Sequence, residues 1–145
     1  ADLIDRALRI MGNEIRHRAH VVMVRREPVM LRSNAGRLLQ VMINLLSNAL
    51  HAFGDRPAAQ NRLEVSVWRE EANACFSLRD NGCGIPAEIR GKIFEPFFTT
   101  KPIGQGTGLG LGICRSILEQ LGGTITVESE PNAGSEFRVL LPAAT

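Results

Sequence analysis

This chain has little of what would tie it to a membrane, a disulfide framework or a polyanion. Among its 145 residues no apolar run approaches the roughly 20 needed to span a bilayer. No signal-peptide pattern opens it, and it starts on Ala1, as expected of a piece of a longer protein. Its three cysteines, Cys75, Cys83 and Cys114, are odd in number and form no Cys-x-x-Cys pair. That argues against a disulfide scaffold and fits a reducing, cytoplasmic setting. A formal net charge of +2 is too small to make nucleic acid or a membrane surface the main partner. Two phosphate motifs are also missing. No Gly-x-x-x-x-Gly-Lys-Ser/Thr occurs, and the glycines never fall as Gly-x-Gly-x-x-Gly, so a P-loop and a dinucleotide-binding Rossmann unit are excluded.

What is present is an ordinary globular composition, 44% hydrophobic and 22% charged, long enough for one domain with a core. Leu3, Ala7, Leu8, Ile10, Met11 and Ile15 predict a helix over 3–18, and Val21–Val24 a short strand. Ser33 or Asn34 can cap a long helix over 35–53 with the stripe Leu38, Met42, Leu45, Leu46, Ala49 and Phe53. Leu63, Val65 and Val67 alternate as a strand, and Cys75–Asp80 reads as its antiparallel neighbour. Pro86 opens a short helix, 94–107 has no period, and a helix over 108–121 precedes strands at Ile125–Val127 and Phe137–Leu141. The pattern predicts an α+β two-layer sandwich, a mostly antiparallel sheet packed on helices.

The chemistry starts in the glycine run Gly104-Gln105-Gly106-Thr107-Gly108-Leu109-Gly110, which leads straight into the last helix. Glycine within a helix costs on the order of 1 kcal/mol relative to alanine, so a run of them there calls for a compensating role. Close backbone approach to an anion at a helix N-terminus is such a role. On the long helix, Gln40, Asn44, Asn48 and His51 fall on one face, with Ser47 beside them. Neutral oxygen ligands so spaced suit Mg2+, although a solvated helix face would look the same.

Asp80 shares its strand phase with Phe76 and Leu78, so its carboxylate points to the apolar side and must find donors. The exocyclic amine of a nucleobase is one such donor, with Gly82 and Gly84 letting a flat ring approach the backbone. Asp80-Asn81-Gly82 also reads as a plain chain reversal. Phe94, Phe97 and Phe98 cluster in a segment without period, and Lys101 there can reach a phosphate as a point charge.

Taken in order, these segments resemble the four nucleotide-binding boxes of sensor histidine kinases. Asn44-Leu45-Leu46-Ser47-Asn48-Ala49 resembles the N box and Asp80-Asn81-Gly82-Cys83-Gly84 the first glycine box. Phe94–Lys101 resembles the F box and Gly104–Gly110 the second glycine box. The Phe97-Phe98-Thr99-Thr100-Lys101 form is most similar to the nitrogen-regulation and dicarboxylate-sensing branch. The resemblance implies the Bergerat ATP-binding fold with a mobile ATP lid, ATP and Mg2+ as cofactors, and phosphoryl transfer to a histidine. It implies catalytic roles for Asn44, Asn48 and Lys101, with Asn48 the main Mg2+ ligand and Asn44 supporting the metal or its waters. It places Asp80 on the adenine amino group and Gly82, Gly84 and Ile85 around the ring. Phe94, Thr100, Lys101, Gly104, Gln105, Gly106, Thr107, Gly108, Leu109 and Gly110 complete the implied nucleotide site.

Two positions depart from the pattern. His51 stands where many histidine kinases carry a Lys or Arg that touches phosphate. Asn44 stands where gyrase carries the glutamate that activates water, so transfer to an acceptor is implied over rapid hydrolysis. The acceptor itself is expected on a separate dimerisation domain of the parent kinase, upstream of 1–145. Asn13-Glu14-Ile15-Arg16 has the outline of the acceptor motif His-Glu-x-Arg, but Asn13 holds the histidine's place. A response regulator would be the downstream partner, and the isolated domain would be monomeric. A related serine kinase of the anti-sigma-factor type and a non-catalytic ATP-binding module remain the alternatives.

Overall fold

The architecture was read from a computed structural model, which describes residues 2–30, 34–54, 56–85, 87–90, 92–94, 110–130 and 133–143. The single helix predicted over 3–18 is two, α1 (Asp2–Ile10) and α2 (Gly12–Arg18). They meet at Met11, whose φ of −89° and ψ of 4° lie in the bridge region, just before a glycine that favours the helix weakly. The break lets Ile4, Ala7 and Ile15 all reach the core, while Ile10 turns outward, 56% exposed.

Strand β1 (His20–Arg26) lies parallel to β2 (Arg62–Glu70), and parallel neighbours need a crossover connection. Helix α3 (Ala35–Ala52) supplies it. Of the two cap candidates Asn34 is the one used: its side chain accepts the Arg37 N–H at 3.1 Å. Leu38, Val41, Met42, Leu45, Leu46, Ala49 and Leu50 form the buried stripe of α3. Truncating any one of its leucines would cost about 3 kcal/mol in transfer and cavity energy.

The rest of the sheet is antiparallel. A tight turn through Glu71 and Ala72 joins β2 to β3 (Asn73–Asp80), with Glu71 at φ 56°. Beyond the short helix α4 (Ala87–Arg90) and α5 (Gly110–Gln120), β4 (Thr124–Glu130) and β5 (Gly134–Pro142) form a hairpin. Strand β5 pairs with β3, giving the order β1-β2-β3-β5-β4. The two-layer α+β sandwich with one parallel pair is therefore the fold observed.

Alternation along the strands separates the two faces of the sheet. Val65, Val67, Phe76, Leu78, Phe137, Val139 and Leu141 face the helices and join the core with Cys114, Ile117 and Leu118 of α5. The outer face carries Arg62, Glu64, Arg79 and Arg138, and the single tryptophan, Trp68. Arg25 and Arg138 each lie 5.6 Å from the Trp68 ring centroid, in cation–π geometry.

Candidate functional site

The apolar alternation of three neighbouring strands stops at one level. Leu78, Phe137 and Val127 stand in register on the inner face, and two residues further on the row becomes Asp80, Ser135 and Ser129. All three are buried, at 3%, 5% and 7% exposure. A buried polar row must satisfy itself or bind something. Asp80 accepts the backbone N–H of Gly82 on Oδ1 at 2.9 Å and also the backbone N–H of Ser135. Burial nevertheless dominates and pushes its carboxyl up to about 6, against the pull of those two donors and the positive charge of Arg56.

The segment after Asp80 is held against the C-terminal end of α3. The Cys83 N–H donates to Ala52 O at 3.1 Å, and a Cβ on Gly82 would stand 2.7 Å from that same oxygen. Only glycine permits this approach. Gly84 follows at φ 73°, a left-handed conformation that also favours glycine. Arg56 fastens the turn from the other side, donating to Asn81 O at 2.6 Å and Gln60 O at 3.0 Å. The Asp80–Gly82 contact is thus a turn contact, and it leaves the carboxylate buried at the edge of the same segment.

On α3, Asn44 and Asn48 are half-buried, while Gln40 and His51 are exposed. Asn48 makes no side-chain hydrogen bond to the described residues. The Asn44 amide lies against the thiol of Cys114, which burial pushes up to about 11 while this hydrogen bond pulls it down. His51 donates from Nδ1 to Ser47 O at 2.8 Å, because a carbonyl only accepts. A neutral His51 then offers only a lone pair at Nε2, so it can donate to a phosphate only as the imidazolium. Amide oxygens such as these fit Mg2+ completed by water and phosphate. Among the described residues no cluster of His, Cys, Asp and Glu could hold a metal by itself.

Phe94 is half-buried, edge-on to Phe137 with centroids 6.4 Å apart, and Arg115 of α5 lies 5.9 Å from its ring centroid. Gly110 opens α5. Thr100, Lys101, Gly104, Gln105, Gly106, Thr107, Gly108 and Leu109 lie outside the described residues. The structure therefore sets Gly82 and Cys83 against the end of α3 just after Asp80, ties Ile85 to Ser129 of β4, and brings Phe94 onto the inner face of the sheet. Arg56, Ser129, Ser135 and Arg90 also belong to this neighbourhood, and no sequence motif pointed to them. A hollow of about 380 Å³ elsewhere is lined by Leu38, Met42, Phe76 and Val139 and lacks the convergent polar groups of a ligand site.

Comparison with known proteins bears on the family and the fold. Residues 33–145 match the family described as histidine kinase-, DNA gyrase B-, and HSP90-like ATPase. The chain is 43% identical over 111 residues to the C4-dicarboxylate transport sensor protein DctB of Rhizobium meliloti, covering 77% of this chain and 17% of that one. It is 39% identical over 124 residues to the sensory histidine kinase/phosphatase NtrB of Rhizobium leguminosarum bv. phaseoli, covering 77% of this chain and 32% of that one. The chain thus spans a third or less of the length of these relatives. The catalytic domain of histidine kinase ThkA superposes with a TM-score of 0.83 at 33% identity, over 97% of this chain and 90% of that domain. No helix among the described residues is long and apolar enough to cross a membrane. With the family match, the identities and the shared fold in agreement, the chain belongs to the histidine kinase-, DNA gyrase B- and HSP90-like ATPases.

Proposed function

We propose that this chain is the phosphate-donor half of a sensor histidine kinase, binding ATP with Mg2+ between α3 and the Asp80 end of the sheet. The observation that carries the reading is the desolvated carboxylate of Asp80, buried where the apolar inner face gives way to a polar row, beside the close approach at Gly82 and the left-handed Gly84. It accepts a hydrogen bond from the adenine amino group, while Gly82, Gly84 and Ile85 flank the ring. Asn48, assisted by Asn44, offers neutral oxygens to the metal, which when bound supplies positive charge against the phosphates. Lys101 and the glycine segment 104–110 are assigned to the phosphates by the motif resemblance alone, as a point charge and a source of backbone N–H groups. The chain's part in the reaction is positioning: the bond from the γ-phosphorus to the bridging oxygen breaks, a phosphorus–nitrogen bond to an acceptor imidazole forms, and ADP leaves.

The acceptor histidine sits on a dimerising domain of the parent kinase, in the cytoplasm, and passes its phosphoryl group to a response regulator. The test is calorimetric nucleotide binding with and without Mg2+, followed by transfer of labelled phosphate to the separately expressed upstream domain of the parent. Mg2+-dependent ATP binding and an acid-labile, base-stable product are expected. An acid-stable product would instead identify a serine kinase, and binding without transfer would leave a non-catalytic module.

A further inference from the structure

Ser129 sits on β4, outside every motif that the nucleotide reading uses, and it is the most densely bonded side chain of the polar row. Its Oγ accepts the Ile85 N–H at 2.7 Å, lies 2.9 Å from Ser135 Oγ, and donates to Gly134 O at 2.9 Å. A hydroxyl has one proton and two lone pairs, so a single arrangement satisfies all three contacts. Ser129 donates to Gly134 O and accepts from both Ile85 and Ser135. Its carbonyl oxygen meanwhile accepts from the Arg90 guanidinium. One residue thus holds the chain at two points five positions apart, Ile85 by its side chain and Arg90 by its backbone.

We infer that Ser129 is a positioning residue for nucleotide recognition, fixing the wall at Ile85 relative to Asp80 before any ligand arrives. Asp80 and Ser129 flank Ser135 in one cross-strand row, so the tie sets the separation between the carboxylate and the chain that leaves it. A residue that only filled space would not need three saturated hydrogen bonds at 7% exposure. The inference rests on the proposed nucleotide site for its consequence, though not for the tie itself.

Two readouts on the intact chain test it. Without ligand, exchange of the Ile85 amide proton is expected to quicken about tenfold or more in Ser129→Ala, since its acceptor is gone, and to recover in Ser129→Thr. With ligand, ADP binding is expected to weaken about tenfold in Ser129→Ala while inorganic tripolyphosphate binding stays within about twofold, again with recovery in Ser129→Thr. Ser129→Cys keeps the volume with a weaker acceptor and gives the same direction at smaller size if the alanine variant is unstable. Unchanged Ile85 exchange overturns the tie, and equal weakening of both ligands overturns the positioning role. A wild-type chain that binds neither ADP nor tripolyphosphate overturns the nucleotide reading instead, and the ligand-free exchange still decides the tie.

Discussion

Gly134, the neighbour of the Ser135 that pairs with Asp80 across the β3–β5 ladder, lies so close to β3 that a Cβ on it would stand 2.0 Å from the Asp80 carbonyl oxygen. Gly134 also has φ 100°, so any other residue would suffer both a clash and backbone strain. The strand bearing the buried carboxylate and the strand bearing its Ser135 donor are therefore locked at one distance. Gly134→Ala is expected to lower stability by about 2 kcal/mol or more, read as a fall in melting temperature. Gly12→Ala, with nothing within 4 Å of the new Cβ, is the control and should be neutral or slightly stabilising. Equal melting temperatures for both variants would remove the argument.

Gly82→Ala addresses the other close approach. Its Cβ would meet Ala52 O at 2.7 Å, so the 81–84 turn must move off the end of α3. The main-chain contact from Cys83 to Ala52 then lengthens. The expected result is a stability loss of about 1–3 kcal/mol and a weaker affinity for adenine nucleotides, measured on the same preparation.

Asp80→Asn separates the turn from the binding role. The amide oxygen of asparagine can still accept the Gly82 N–H, so the turn contact at 2.9 Å is retained. Removing a desolvated negative charge should leave the ligand-free melting temperature at pH 7.5 unchanged or higher. Adenine nucleotide affinity should fall more than about tenfold, because a donor is set against the ligand's amino group. Unchanged affinity would sink the assignment of Asp80 to adenine, and a collapsed fold would make it a structural carboxylate.

The raised pKa of Asp80 gives a pH signature of definite sign. The native carboxyl titrates at about 6 against an ordinary 3.8, so the folded chain holds more protons than the unfolded one between those values. Its contribution to stability therefore rises as pH falls from above 6 toward 4, by an amount on the order of 3 kcal/mol. ATP affinity runs the opposite way and is lost as pH falls through about 6, because the acceptor becomes protonated. Denaturant melts and binding titrations on wild type and Asp80→Asn check both, since the variant should lack this component of each pH dependence.

The thiols supply a reporter at the site. Cys75 and Cys114 are buried at 2% and 0% exposure, and burial pushes both thiols up. Cys83 is exposed, between the two glycines that flank the proposed ring. One thiol per chain should react rapidly with a disulfide reagent, with the other two reacting only on unfolding. Saturating ADP should slow that one reaction in proportion to occupancy, and indifference to ADP would place the nucleotide elsewhere.

Much of this arrangement is local in sequence, and those parts could be read directly. The α3 stripe follows from a 3.6-residue period, and the inward phase of Asp80 follows from Phe76 and Leu78. Ser129 and Ser135 carried the same kind of signal: they continue the inward phase of Ile125 and Val127 and of Phe137 and Val139. What was missing was register, since nothing local says that β4 and β5 end their apolar phase beside Asp80. Arg56 was invisible for a similar reason, as its bonds to Asn81 and Gln60 close a loop whose geometry is set from outside. The break at Met11 was not legible either, because the apolar spacing continues through it.

The placement of Trp68 has a practical consequence. It stands on the outer face and pairs with Cys75, five residues along β3 from Asp80, or about 17 Å of strand. Its fluorescence, tuned by the two guanidinium groups against the ring, therefore reports on whether the sheet is intact and is blind to occupancy of the far end. Paired with the Cys83 thiol, it gives the native chain two independent optical channels, one for folding and one for ligand, with no engineered label.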